Sequence, residues 1–211
     1  MKYYSLGGVE MVTNVLASRF LDNGCRVSIV SFIEPSNEIL CRKDSRIIYY
    51  LLSGFNTSKK NIDQLRNILI EEKIDIVINQ WGLPYVPIYV LKKASKGLSL
   101  KIFSVHHNSP KTNGRLKDIE IAMSETNNKF CALILCMKKV LTYYVTSYSM
   151  WYVYQKSDKY ILLSDSYIRE FLSFTRVKKA TKLVVITNPI TIPYIEAVSY
   201  THLRAHETLS D

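Results

Sequence analysis

The chain has 211 residues, enough for one domain of ordinary size with a full core. Its 47% hydrophobic and 22% charged residues exclude a fibrous or disordered protein. Lysine and arginine exceed aspartate and glutamate by 28 to 18, and this net +10 suits an anionic partner: a nucleic acid, an anionic membrane surface or a phosphorylated small molecule.

In chain order, the opening "MKYYSLGGVE" lacks the apolar segment of a signal peptide. Only "KYYS" precedes its Gly-Gly pair, so the strand expected to open the fold reads as truncated. Val9, Val12, Leu16 and Phe20 recur at helical spacing, and Gly24 is placed to stop that helix. "RVSIVSF" and "RIIYYLL" read as strands, "NIDQLRNILIEEK" as an amphipathic helix and "IDIVIN" as a strand. "PYVPIYVLKKASKG" reads as a helix with a proline start and a glycine stop, and "KIFSVHH" as the next strand. After the polar "NSPKTNGR", one long helical stretch is predicted from about Leu116 to Gln155. "KYILLS" is a strand, "DSYIREFLSFTR" a helix capped by Asp165, and "KLVVIT" the last strand. Such alternation predicts an α/β, Rossmann-like, doubly wound domain with a mostly parallel sheet.

Four cysteines, Cys25, Cys41, Cys131 and Cys136, form no Cys-x-x-Cys pair and read as the reduced thiols of a cytoplasmic protein. The longest apolar run, Phe130 to Met137, falls far short of the ~20 residues of a membrane span.

Three places could carry chemistry. In "SLGGVE", Gly7 and Gly8 let the backbone approach a ligand at a helix N-terminus that favours an anion; a plain tight turn explains them equally well. "VHHNSP" sets His106, His107 and Asn108 directly after a strand, where ligands of open parallel sheets sit and an imidazole can bond or deprotonate a hydroxyl. The alternative is a solvated loop histidine. "NQWG" occupies the equivalent place after the preceding strand and would put the Asn79 amide and an indole on the same rim. Lastly, Lys129 to Lys182 contains ten lysines or arginines against three acids, with Tyr143, Tyr144, Tyr148, Trp151, Tyr152 and Tyr154 among them. Lys138 and Lys139 interrupt the apolar run, which argues against a span and permits a helix lying on an anionic bilayer; a core helix with a solvated face is the alternative. No nucleic-acid-binding module accompanies the charge, so nucleic acid is not expected.

Taken in order, "YYSLGGVEMVTNVLASRFLDNGCRVSIVS", "IDIVINQWG", "KIFSVHHNSP", "SDKYILLSDSYIREF" and "KLVVITNPI" resemble the N-terminal domain of a family 4 glycosyltransferase, one half of a GT-B fold, from Tyr4 to about Ile192. The resemblance implies retaining, metal-independent transfer from a nucleotide-sugar to a saccharide or lipid-linked saccharide, in surface polysaccharide or glycan synthesis. The N-terminal domain would shape the acceptor side, and a C-terminal domain would bind the nucleotide. Gly7 and Gly8 would face the interdomain cleft, with Glu10 in the same turn. His107, followed by Asn108, matches a histidine near the acceptor or transferred sugar, ahead of His106, and Ser164 matches the serine ending its strand. Met11 departs from the arginine common after this turn, and the donor domain with its paired glutamates is expected to be missing. The enzyme would be peripheral at the inner membrane face, docking through Lys138, Lys139 and Trp151.

On this reading residues 1–192 form the domain, 193–197 begin a linker and 198–211 are a non-native tail resembling translated adaptor sequence. His202, His206, Glu207 and Asp211 then form no metal site, no cofactor is expected, and the fragment alone is inactive. The alternative is a stand-alone module holding a phosphorylated ligand at Gly7–Gly8.

Overall fold

The computed structural model describes residues 8–34, 44–111 and 114–189. Gly7, Cys41, the segment expected to hold the opening strand, and the tail with His202, His206, Glu207 and Asp211 lie outside the described residues. Within them, helices and strands alternate: α1 (Gly8–Asp22), β1 (Ser28–Ser31), β2 (Ile48–Leu51), α2 (Lys59–Glu71), β3 (Ile76–Asn79), α3 (Tyr85–Ala94), β4 (Lys101–His106), α4 (Gly114–Glu125), α5 (Lys129–Lys156), β5 (Lys159–Leu162), α6 (Ser166–Thr175) and β6 (Leu183–Val185). Each strand falls inside a run predicted from the sequence, and every described pairing is parallel. The architecture is Rossmann-like α/β.

The helices follow from their sequences. Along α2, Leu65, Ile68 and Leu69 recur on one face and are buried. Its start is capped by Ser58, whose hydroxyl accepts from the Asn61 amide at 3.3 Å. Asn61 is itself fully buried: its side chain accepts from Ser53 N at 2.7 Å and donates to Gly54 O at 2.9 Å and Asn56 O at 3.0 Å. One amide thereby satisfies the backbone of the whole β2–α2 turn. Past α1, Gly24 takes φ +80°, and the Cys25 amide returns to Phe20 O, as the predicted glycine stop requires.

The core lies between the helices and the four-stranded part of the sheet. Ile88, Val90 and Ala94 of α3, Ile102 of β4, Tyr160 and Leu162 of β5, Met150 and Val153 of α5, and Phe171 and Phe174 of α6 are all at most 1% exposed. Full burial of a side chain such as Phe171 contributes on the order of 1.5–3 kcal/mol.

Among the described strands, β1 pairs with β2, and β3, β4, β5 and β6 pair in that order. Two expectations are corrected. The predicted helix from Leu116 to Gln155 is two helices, because Asn128 accepts from Phe130 N and Cys131 N and so caps a new start after Glu125. Asp165 makes no side-chain cap bond. The adjacent Ser164 accepts from the Ser166 amide at 3.3 Å instead.

Candidate functional site

The parallel register sets the C-terminal ends of the strands side by side. Asn79 of β3 is paired with Ser104, and His106 of β4 with Leu162 of β5, which in turn pairs with Val185 of β6. Residues just beyond those ends form the carboxyl rim, where ligands of open α/β sheets bind.

His107 is the first residue past β4. Its Nε2 lies 2.8 Å from Oε1 of Gln80, which follows β3. A carbonyl oxygen only accepts, so this contact puts the ring proton on Nε2 and leaves the Nδ1 lone pair open. Nδ1 is buried without a partner at hydrogen-bonding geometry among the described residues. Burial holds the His107 pKa below the ordinary imidazole value, while the Asn188 amide beside it acts in the opposite sense. The lowered pKa favours the neutral imidazole, a form able to accept from a hydroxyl. Gln80 and Asn188 stand in the segments "NQWG" and "TNPI", yet sequence spacing could not show that three separate strand ends bring them to one ring.

His106 points the other way. It is 4% exposed, stacks on Tyr160 at 6.3 Å between ring centroids, and its Nε2 has no partner among the described residues. Burial, with a smaller contribution from His107, lowers its pKa to about 4. It belongs to the interior, and His107 is the histidine at the rim.

The expected rim amide is also turned inward. Asn79 is 9% exposed, donates to Ser104 Oγ and Trp81 O, and accepts from Trp81 N. It shapes the turn from which Gln80 reaches His107. Trp81 packs edge-on against Phe55 at 5.3 Å, and Phe55 in turn against Phe32 at 5.6 Å, so aromatic rings after β1, β2 and β3 touch in series. Gly82 donates its amide to Val105 O at 2.9 Å, and the buried Tyr160 hydroxyl donates to Gly82 O at 2.7 Å. These two bonds lock the β3 loop onto the end of β4.

Of the other predicted site residues, Asn108 is exposed in the same loop, whose Ser109 hydroxyl donates to Glu170 of α6. Ser164 lies just past β5, its hydroxyl 2.9 Å from that of Ser166. Gly8 opens α1, exposed, with open space where a Cβ would stand, and Glu10 is buried in the first turn of that helix. Lys138 is exposed, Lys139 pairs with Glu120 at 2.9 Å, and Trp151 stacks on Tyr148 at 5.4 Å. A separate groove of about 430 Å³ lies between α4, α5 and α6, lined by Leu116, Tyr143 and Phe174 with Lys111 and Lys139 at its edge. Among the described residues no group of three His, Cys, Asp or Glu side chains could hold a metal ion.

No curated protein matches the chain. Its sequence does match the profile of Glycosyltransferase Family 4 over residues 6–192, which takes in every described strand and helix. The chain belongs to glycosyltransferase family 4, and its parallel Rossmann-like α/β architecture agrees with that family.

Proposed function

We propose that this domain forms the acceptor side of a retaining glycosyltransferase that moves a sugar from a nucleotide-sugar to a saccharide or lipid-linked saccharide in polysaccharide or glycan synthesis. The observation that carries the reading is His107: half-buried just past the end of β4, bonded through Nε2 to Gln80, with Asn188 beside it and its pKa held below the ordinary imidazole value by burial. A sugar hydroxyl brought to the carboxyl rim, where the sheet presents ligands, would meet this imidazole and its flanking amides. His107 would accept that bond and orient the sugar. Such positioning needs no metal and no cofactor from this domain, and the nucleotide would bind to a second domain of the enzyme.

The test uses the 211-residue chain and a fusion of it to the donor-binding domain of a family 4 enzyme. The chain alone should turn over no nucleotide-sugar, and the fusion should transfer. In the fusion, His107→Ala should lower kcat/KM by roughly 10–100-fold, the usual range for losing a bond to a reacting or adjacent group. Gln80→Leu, which frees Nε2 and the tautomer, should cause a smaller loss. Turnover by the chain alone would overturn the acceptor-side reading, and a His107→Ala fusion as active as its parent would remove the histidine from it.

A further inference from the structure

Helix α5 is long and apolar enough, by length and composition, to cross a membrane, yet its buried residues all lie in its C-terminal half. Thr146, Ser149, Met150, Val153 and Tyr154 are buried. The opposite face carries Phe130, Ile134, Met137, Leu141, Tyr144, Tyr148 and Trp151, alternately four and three residues apart. The first six of these are 50–70% exposed and Trp151 is 36%. Leu133, Val140 and Val145 widen the stripe and are exposed as well. At 100° per residue these side chains fill an arc of roughly 140°. At 1.5 Å per residue the stripe runs roughly 30 Å. Among the described residues the Arg176 guanidinium reaches its C-terminal half, 5.9 Å from the Tyr144 ring centroid, and the rest of the stripe is open; a continuous apolar surface of this size marks an interaction site.

The charges choose the occupant. Every charged residue of α5 is a lysine, and no acid occurs in the helix. On the helical projection Lys129 and Lys138 stand at opposite edges of the apolar arc, while Lys139 is turned toward α4 and its partner Glu120. A second copy would bring lysine against lysine with no acid to bridge them, and an arc this wide exceeds the narrow seam of a two-helix pair. Tyr144, Tyr148 and Trp151 are the residue types that favour the headgroup boundary, and Phe130 suits the apolar face of an interfacial helix. Because the C-terminal half of the same helix is packed against the sheet domain, the exposed half can lie in a surface and is not free to cross one.

We infer that the outward face of α5, from Phe130 to Trp151, is a docking surface that lies in the headgroup layer of an anionic phospholipid bilayer, its apolar residues in the acyl boundary and Lys129 and Lys138 on the phosphates. This reading is independent of the transfer chemistry at His107. It also shifts the docking residues from those the sequence suggested: Lys138 stays, Trp151 marks one end, and Lys139 is replaced by Phe130, Ile134, Met137 and Leu141.

Sedimentation of the full chain with vesicles tests it. Binding to phosphatidylglycerol–phosphatidylcholine vesicles should be roughly thirtyfold tighter than to phosphatidylcholine alone, the share expected of two rim lysines, and should weaken as salt is raised. The double variant Met137→Glu, Leu141→Glu should lose binding by at least about a hundredfold, with far-UV circular dichroism unchanged because both side chains are solvent-facing. A conservative second variant, Leu141→Trp, should bind, blue-shift its emission and be quenched by nitroxide-bearing lipids. Equal sedimentation of parent and double variant would overturn the proposal. So would a dimer in sedimentation velocity that the double variant dissolves while vesicles go unbound, the mark of a second copy. Association that survives alkaline carbonate would overturn it in favour of a span.

Discussion

Gly82→Ala is expected to lower the unfolding free energy by about 3 kcal/mol, the upper range for forcing atoms into a packed site. For a chain of this length that corresponds to a melting temperature lower by roughly 6–12 °C. The cause is local. A Cβ at position 82 would stand 2.8 Å from Val105 O, 2.9 Å from His106 Cβ and 3.0 Å from His106 Cα. Two of these three atoms are backbone, so no rotamer change relieves the contact. The loop must lift, and lifting stretches both Gly82 N–H to Val105 O and the Tyr160 hydroxyl to Gly82 O. Because Gln80 lies on the same turn, the His107 contact should loosen with it, and any transfer activity of the fusion should fall further than stability alone dictates. A Gly82→Ala protein that melts with its parent would show that the strand ends have room the geometry denies.

Acidification should destabilise the domain between about pH 6.5 and pH 4, by about 3 kcal/mol in all, since a tenfold change in proton affinity is worth about 1.36 kcal/mol. The sign follows from His106. Burial lowers its folded pKa from 6.5 to about 4, so in this window the unfolded chain takes up a proton that the folded chain refuses. Stability from this group is complete above pH 6.5 and falls as pH drops toward 4. His107, whose pKa burial also lowers, adds in the same direction. Asp44, held down to about 2 by its hydrogen bonds from Arg46, contributes only below its ordinary value of 3.8 and leaves the window clear. Denaturant unfolding at several pH values measures the slope. His106→Phe, which keeps a ring against Tyr160 and removes the titrating nitrogen, should flatten most of it. An unchanged slope in that variant would assign the acid sensitivity elsewhere.

Strand positions were readable because β-branched residues cluster there and polar or turn residues separate the clusters. The histidine pair after β4 was readable for a related reason: polar residues directly after an apolar run end at the rim of a parallel sheet. What could not be read is set by tertiary neighbours. Which of two adjacent histidines faces in depends on pleat: His106 turns toward Tyr160, and His107 does not. Asn79 and Gln80 are both amides, and only the register against Ser104 shows that the first is held inside. The break between α4 and α5 rests on one Asn128 side chain choosing the backbone, against an apolar pattern that would permit the helix to continue. Gly82 gives no local sign of its crowding, since its neighbours in space belong to a strand some twenty residues on. Asn188 meets His107 only because β6 closes the row of strands.

The two described groups of strands differ in how well their edges are covered. Ser28–Ser31 and Ile48–Leu51 bond only to each other among the described strands, and Ile48 and Leu51 are 49% and 50% exposed, whereas β4 and β5 each have a neighbour on both sides. Half-exposed apolar positions and few described ladder bonds make β1 and β2 the strands expected to open first in a subglobal fluctuation. Native-state amide exchange should then separate the molecule into two cooperative units. The Leu52 amide, bonded to Ser31 O at 2.8 Å, would exchange early, and the Tyr160 amide, bonded to Lys182 O at the same distance, only on global unfolding. The carboxyl rim and its histidine belong to the slower unit.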